Sequence, residues 1–363
     1  MHLVSKIAKN VVNQSLRIRE DDIVHITASR HMLDLAEEVA TECRRAGAET
    51  TTLYWSEPVW YSSMLELPLD WLRGASKTDL ALLDIATVNI NLAAATDPAQ
   101  MAKISPERLA ANSEGADYSY RKYAERKPRT ANIALPLVTP QRARSYKFSY
   151  SAWKRATESA LRADYSKISA AGLKLRQLFD DAHEVHITSR NGTDLKFQMA
   201  GRKSLVDDGV IDDADLSSGN FQTTLPAGHI DIAPDENSAN GTVVFDLPVT
   251  LRGKLIQGLS WSFENGQINR FTAAKNADMV VPLWEKATGD KSRSGLFGIG
   301  FNYAAKTGFM NDTIAPGAVT LGVGENKTIG GQNVSTFAFQ GTLKKSTVDF
   351  DGRTVVSEGK LTI

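Results

Sequence analysis

Leu225-Pro-Ala-Gly-His-Ile-Asp-Ile-Ala-Pro234, running on through Asp235-Glu-Asn-Ser-Ala-Asn-Gly241, is the stretch on which the reading of this chain turns. Between the two prolines, polar and apolar residues alternate, the pattern of a short strand bounded by turn chemistry. In a strand, residues two apart point to the same face. His229 and Asp231 would then stand side by side, as an oriented base or half of a metal site requires. The plainer reading is a loop pair near Pro226 and Pro234.

Outward from this stretch, the whole second half has the same texture. Val185–Thr188, Leu195–Met199 and Gly241–Phe245 are short runs of strand character, and Asn191-Gly192 and Asn265-Gly266 are the pair that tight hairpins favour. Helical patterning is scarce there outside 272–290. The first half reads differently. Val4–Leu16 and Met32–Ala46 place apolar groups at helical spacing, with Asp22–Thr27 and Glu49–Tyr54 as strands around the second helix, the parallel crossover pattern. Leu80–Ile85, Val88–Leu92 and Ile133–Val138 read as further strands, and 151–180 as helical. The expected fold is an α/β N-terminal domain with a mainly parallel sheet, residues 1–175, followed by a β-rich (α+β) C-terminal domain, residues 176–363.

Composition narrows the function. The chain has 363 residues, enough for about two domains. Its 42 basic and 42 acidic residues balance to a formal charge of zero, which argues against a nucleic-acid partner. Cys43 is the only cysteine, so neither an intrachain disulfide nor a cysteine zinc cage is open to it. The opening MHLVSKIAKN lacks the apolar core of a secretory signal, and no apolar run has membrane-spanning length. A cytoplasmic protein with no membrane partner is the expectation. Gly322-Val-Gly-Glu-Asn-Lys-Thr328 has the wrong spacing for a phosphate loop. Among the other histidines (His2, His25, His31, His183 and His186) no metal-binding pair is spaced as in H-E-x-x-H. His183 and His186 read as surface and edge residues.

Several landmarks of the second half occur in a telling order. Residues 226–234, Asn240-Gly241, Leu296-Phe-Gly-Ile-Gly-Phe-Asn302, Gly317–Gly324 and Gly330–Gln340 resemble, in order and rough spacing, the motifs of the aminopeptidase T family of metallopeptidases. That is the branch that also contains 2,5-dihydroxypyridine dioxygenases. The resemblance implies the same two-domain fold, a homodimer, and a site made mostly by the C-terminal half.

It also implies which positions would hold the two metals of the peptidases, and these have changed. The glutamate positions hold His229 and Leu296. The histidine of the third motif is Thr320, and the histidine and aspartate of the last are Ala338 and Gln340. Leu and Ala offer a cation nothing, and neutral oxygens are weak ligands. No metal and no other cofactor are therefore expected. The family tyrosine falls at or beside Lys327. A surviving cleft would be lined by His229, Asp231, Glu325, Lys327 and Ser335 as catalytic candidates, and by Asn302, Thr320, Asn333 and Gln340 as substrate-binding ones. A buried Lys327 beside Glu325 would suit a general base. Ser335 would suit a nucleophile served by His229 or Lys327.

Three functions remain open. One is a metal-independent hydrolase or ring-opening enzyme acting on a small amide or heterocyclic substrate. Another is a non-catalytic binding or scaffold protein derived from a peptidase, favoured by the apolar Leu296 and Ala338. The third, with the motifs in a shifted register, is a metal-dependent aminopeptidase or ring-cleaving dioxygenase.

Overall fold

A computed structural model describes residues 3–363, so His2 lies outside the described residues. The chain forms two compact units. One runs up to Tyr165 and takes back Gly209–Pro226; the other is Ser166–Asp208 with Ala227–Ile363.

The first unit is built on a five-stranded, wholly parallel sheet. Its strands, in spatial order, are Glu49–Trp55, Ile23–Ser29, Val88–Leu92, Arg129–Ile133 and Gln222–Leu225. Val24, Ile26, Ala28, Val88, Ile90 and Leu92 are buried on one of its faces. Helix Leu33–Arg45 supplies the first crossover and buries Leu35, Ala36, Val39 and Cys43. The α/β reading of this half holds. Two local readings do not. Leu80–Ile85 belongs to helix Lys77–Ile85, which Ser76 caps by accepting a hydrogen bond from the Asp79 amide. Ile133–Val138 ends a strand rather than forming one: the strand is Arg129–Ile133, and Leu135–Leu137 is a 3-10 turn around Pro136, which cannot donate to a ladder. The helical stretch 151–180 is two helices, Tyr150–Leu161 and Tyr165–Asp181.

The second unit is β-rich and antiparallel, as its turn signals imply. One sheet has eight strands, and both Asn-Gly pairs lie in the turns of its hairpins. At the tighter one, Asn265 and Gly266 both have positive φ, at 49° and 76°. The expected helix of 272–290 is reduced to the 3-10 turn Ala277–Met279 and helix Val281–Lys286.

A five-stranded sheet completes this unit and carries the site. Its order is Ala338–Leu343, Val319–Gly324, Ser294–Gly300, His229–Ile232 and Leu205–Asp207. Ile230, Ile232, Phe297, Ile299, Val319, Leu321 and Leu343 are buried on one face of it. Phe297 lies in an aromatic cluster, stacked on Phe179 with ring centres 5.2 Å apart and meeting Phe197 and Phe350 edge-on. Burying one face so completely fixes the register, because a slip of one residue would turn every side chain over. The opposite face is therefore equally well specified.

Candidate active-site cleft

On that opposite face the ladder sets His229 against Gly300, Asp231 against Gly298, Thr320 against both Gly298 and Thr342, and Gly322 against both Leu296 and Gln340. Ala338 pairs with Gly324. His229, Asp231, Leu296, Thr320, Ala338 and Gln340 thus share one face of one sheet. A cleft of about 550 Å³ opens over it, lined among others by Asp231, Leu296, Gln340, Glu325 and Asp312.

Glycine makes room for the polar groups. A Cβ on Gly298 would fall 2.1 Å from Asp231 Oδ1, so the carboxylate lies directly over this residue. One on Gly300 would fall 2.3 Å from the Ala315 carbonyl and 2.4 Å from that of Thr313. The two glycines are two residues apart in a strand, roughly 7 Å. The Thr313 and Ala315 carbonyls thus cross this strand two residues on from the position that Asp231 covers.

His229 Nε2 stands 3.3 Å from Asp231 Oδ2. Burial alone would lower the imidazole pKa, but the Asp231 carboxylate, by charge and hydrogen bond, and Asp207 outweigh it and raise it to about 9. His229 is thus an imidazolium at neutral pH, and its Nδ1 is buried with no hydrogen-bond partner. Asp312 was not singled out by the sequence. It is 6 % exposed, and burial pushes its carboxyl up to about 6 against two backbone N–H donors. The cleft lining thus includes Asp231, paired with His229, and Asp312, whose carboxyl burial raises.

The other sequence candidates are distributed as follows. Glu325 lines the cleft, with Oε1 accepting from the Lys327 amide at 2.9 Å. The Lys327 side chain is exposed and is not part of the lining. Ser335 donates to the Thr288 carbonyl at 3.0 Å and accepts from the Phe337 amide, closing a loop instead of facing His229. Asn302 is fully buried: its amide donates to the Ala227 carbonyl at 2.7 Å and accepts from the Ala304 amide. Asn333 donates to the carbonyls of Ser294 and Gly324 at 3.0 and 2.9 Å. Thr320 shares a 3.2 Å hydrogen bond with Thr342. Gln340 lines the cleft and is exposed.

The loop carrying Glu325 is pinned from below. Glu236 is buried in a two-pronged ion pair with Arg202, both contacts at 2.8 Å, and also accepts from Asn326 Nδ2 and the Gln332 amide. Together these hold its carboxyl down at about 2, against the effect of burial. Asn326 in turn accepts from the Asn333 amide.

Among the described residues, no three His, Cys, Asp or Glu side chains are grouped so that they could hold an ion. Nor is any described helix long and apolar enough to cross a membrane.

Comparison with known proteins places the chain. The family model for thermophilic metalloprotease (M29) matches residues 2–292, ending just before the strand Ser294–Gly300. Aminopeptidase AmpS of Bacillus subtilis (strain 168) is 20 % identical over 314 residues, 78 % of this chain and 73 % of the relative. Among solved structures, wild-type AmpT from Thermus thermophilus superposes with a TM-score of 0.80 at 18 % identity, covering 99 % of each chain. The 2,5-dihydroxypyridine dioxygenase of Pseudomonas putida KT2440 gives 0.62 at 14 %, covering 99 % of this chain and 96 % of its own. These likenesses share the parallel-plus-antiparallel fold described above, and the chain belongs to the thermophilic metalloprotease (M29), or aminopeptidase T, family.

Proposed function

We propose that this family member works without the two-metal centre, as a metal-independent hydrolase or ring-opening enzyme on a small amide or heterocyclic substrate. The observation that carries the reading is the composition of the cleft face. The five positions that the family resemblance assigns to metal ligands, His229, Leu296, Thr320, Ala338 and Gln340, lie on one face of one sheet. A set of true ligand positions should converge in this way, and here it offers a cation only one good ligand. The remaining polarity suits proton transfer instead.

In this reading Asp231 is the general base. Its contact with His229, 3.3 Å from Nε2 to Oδ2, orients it. A water held by Asp231 attacks the carbonyl carbon of the substrate. Glu325 and Gln340 hydrogen-bond its polar edge, and Leu296, Phe309 and Met310, which also line the cleft, cover its apolar part. The substrate class rests on the resemblance to the dioxygenase branch together with the size of the cleft. A homodimer belongs to the same proposal.

The test is turnover in excess EDTA of an amino-acyl p-nitroanilide and a panel of small cyclic amides. Wild-type activity should survive chelation, and Asp231→Asn should lower it by about a hundredfold or more. Activity that appears only on adding zinc, cobalt or ferrous iron would overturn the reading.

A further inference from the structure

We propose that Asp312 is the proton donor of this cleft, delivering the leaving group's proton while Asp231 takes one from water. The inference rests on the metal-free reading above and names its missing acid.

One oxygen of Asp312 is already occupied. Gly308 N and Phe309 N both donate to Oδ1, at 2.6 and 3.1 Å. Among the described residues no hydrogen bond reaches Oδ2, nor is Oδ2 one of the buried atoms left without a partner. A carboxyl so placed keeps Oδ1 as the acceptor for both amides and carries its proton on Oδ2, the oxygen left for the cleft that Asp312 lines. The backbone loop fixes its position, so the group needs no reorganisation to act.

The proposed base lines the same cleft. Asp231 lies over Gly298, and the Thr313 and Ala315 carbonyls lie over Gly300, roughly 7 Å away along the strand. Asp231 and Asp312 both line the one cleft, which has room for a water and a substrate bond between them. Their surroundings differ. Asp231 faces His229, with Nε2 3.3 Å from Oδ2. Asp312 is buried, and burial raises its carboxyl, with Lys344 favouring its charged form and Asp246 opposing it.

The step balances with water as the only co-reactant. Asp231 removes a proton from water, whose oxygen forms a bond to the carbonyl carbon. The C–N bond breaks, its electron pair stays on nitrogen, and nitrogen takes the proton from Asp312 Oδ2. An acid and an amine are released; Asp231 is left protonated, Asp312 ionised, and solvent returns the proton.

Asp312→Asn is the informative variant, because the amide oxygen can still accept from both loop amides while no acidic proton remains. In excess EDTA, with the p-nitroanilide that wild type turns over, wild-type kcat should fall as pH rises through about 6. D312N should lose about a hundredfold at about pH 5, with an unchanged melting temperature and without that descending limb. Asp312→Glu should recover part of the rate. D312N as active as wild type, with the same pH profile, would overturn the inference and leave the metal-free reading standing. No wild-type turnover in EDTA would instead overturn that reading. For that case the carboxyl carbon of Asp312 is followed by NMR: titration near pH 6 that moves in Asp231→Asn supports the pair, and titration at an ordinary aspartate pH, indifferent to Asp231, rejects it.

Discussion

In the proposed reaction Asp231 depends on two neighbours, His229 beside it and the missing Cβ of Gly298 beneath it. Adding that Cβ in Gly298→Ala would place an atom 2.1 Å from Oδ1, so the carboxylate must leave its position. We expect loss of activity together with roughly 1–3 kcal/mol of stability, measured by denaturant titration. His229 makes a signed prediction. Its pKa is raised from 6.5 to about 9 in the fold, so its ion pair stabilises fully below pH 6.5, and that contribution is lost as pH rises through 9. With the side chain 27 % exposed, the shift is worth about 2 kcal/mol after allowance for solvent screening. His229→Gln should therefore melt below wild type at pH 6 and converge with it above about pH 10. A constant gap across that range would mean that packing, not charge, is what His229 supplies.

At the scale of elements, the loop between Gly324 and Ser335 is held by one buried carboxylate. Glu236→Gln keeps the shape but leaves Arg202 without its countercharge, at a cost on the order of 3 kcal/mol. Amide exchange in residues 325–334 should accelerate by more than exchange in the strand Val319–Gly324. In wild type the Glu236 contribution is present above pH 4.5 and is lost as pH falls through about 2, so the variant should lack that acid limb. Elements were also where the sequence was most and least legible. The strand His229–Ile232 could be read from its alternation, and both Asn-Gly hairpins from turn chemistry. Leu80–Ile85 misled because a short apolar run does not separate strand from helix; the Ser76 cap was the deciding signal. Asn302 and Asn333 stood at landmark positions, but no sequence shows that their amides are already spent on backbone carbonyls. Asp312 was missed for the opposite reason: it opens a single 3-10 turn, Asp312–Ile314, outside every landmark, and only its burial and its two amide donors mark it out.

The whole molecule joins a shared scaffold to a site that we propose has changed. The family match covers residues 2–292, whereas three of the five strands beneath the cleft lie between Ser294 and Leu343, counting the strands at 294–300, 319–324 and 338–343. The fold is kept over 99 % of AmpT at 18 % identity, because the buried face of the sheet fixes its register whatever the cleft face carries. The homodimer is checked by sedimentation: a species of twice the 39.6 kDa chain mass is expected, and a monomer at micromolar concentration would remove it from the proposal. The central claim is the absence of a metal centre, and metal content tests it most directly. Purified protein, with and without incubation in zinc, cobalt or ferrous iron, is analysed by mass spectrometry alongside its melting temperature. The account predicts no stoichiometric metal and no change in melting on adding each ion. One or two metals per chain, with a raised melting temperature, would contradict it.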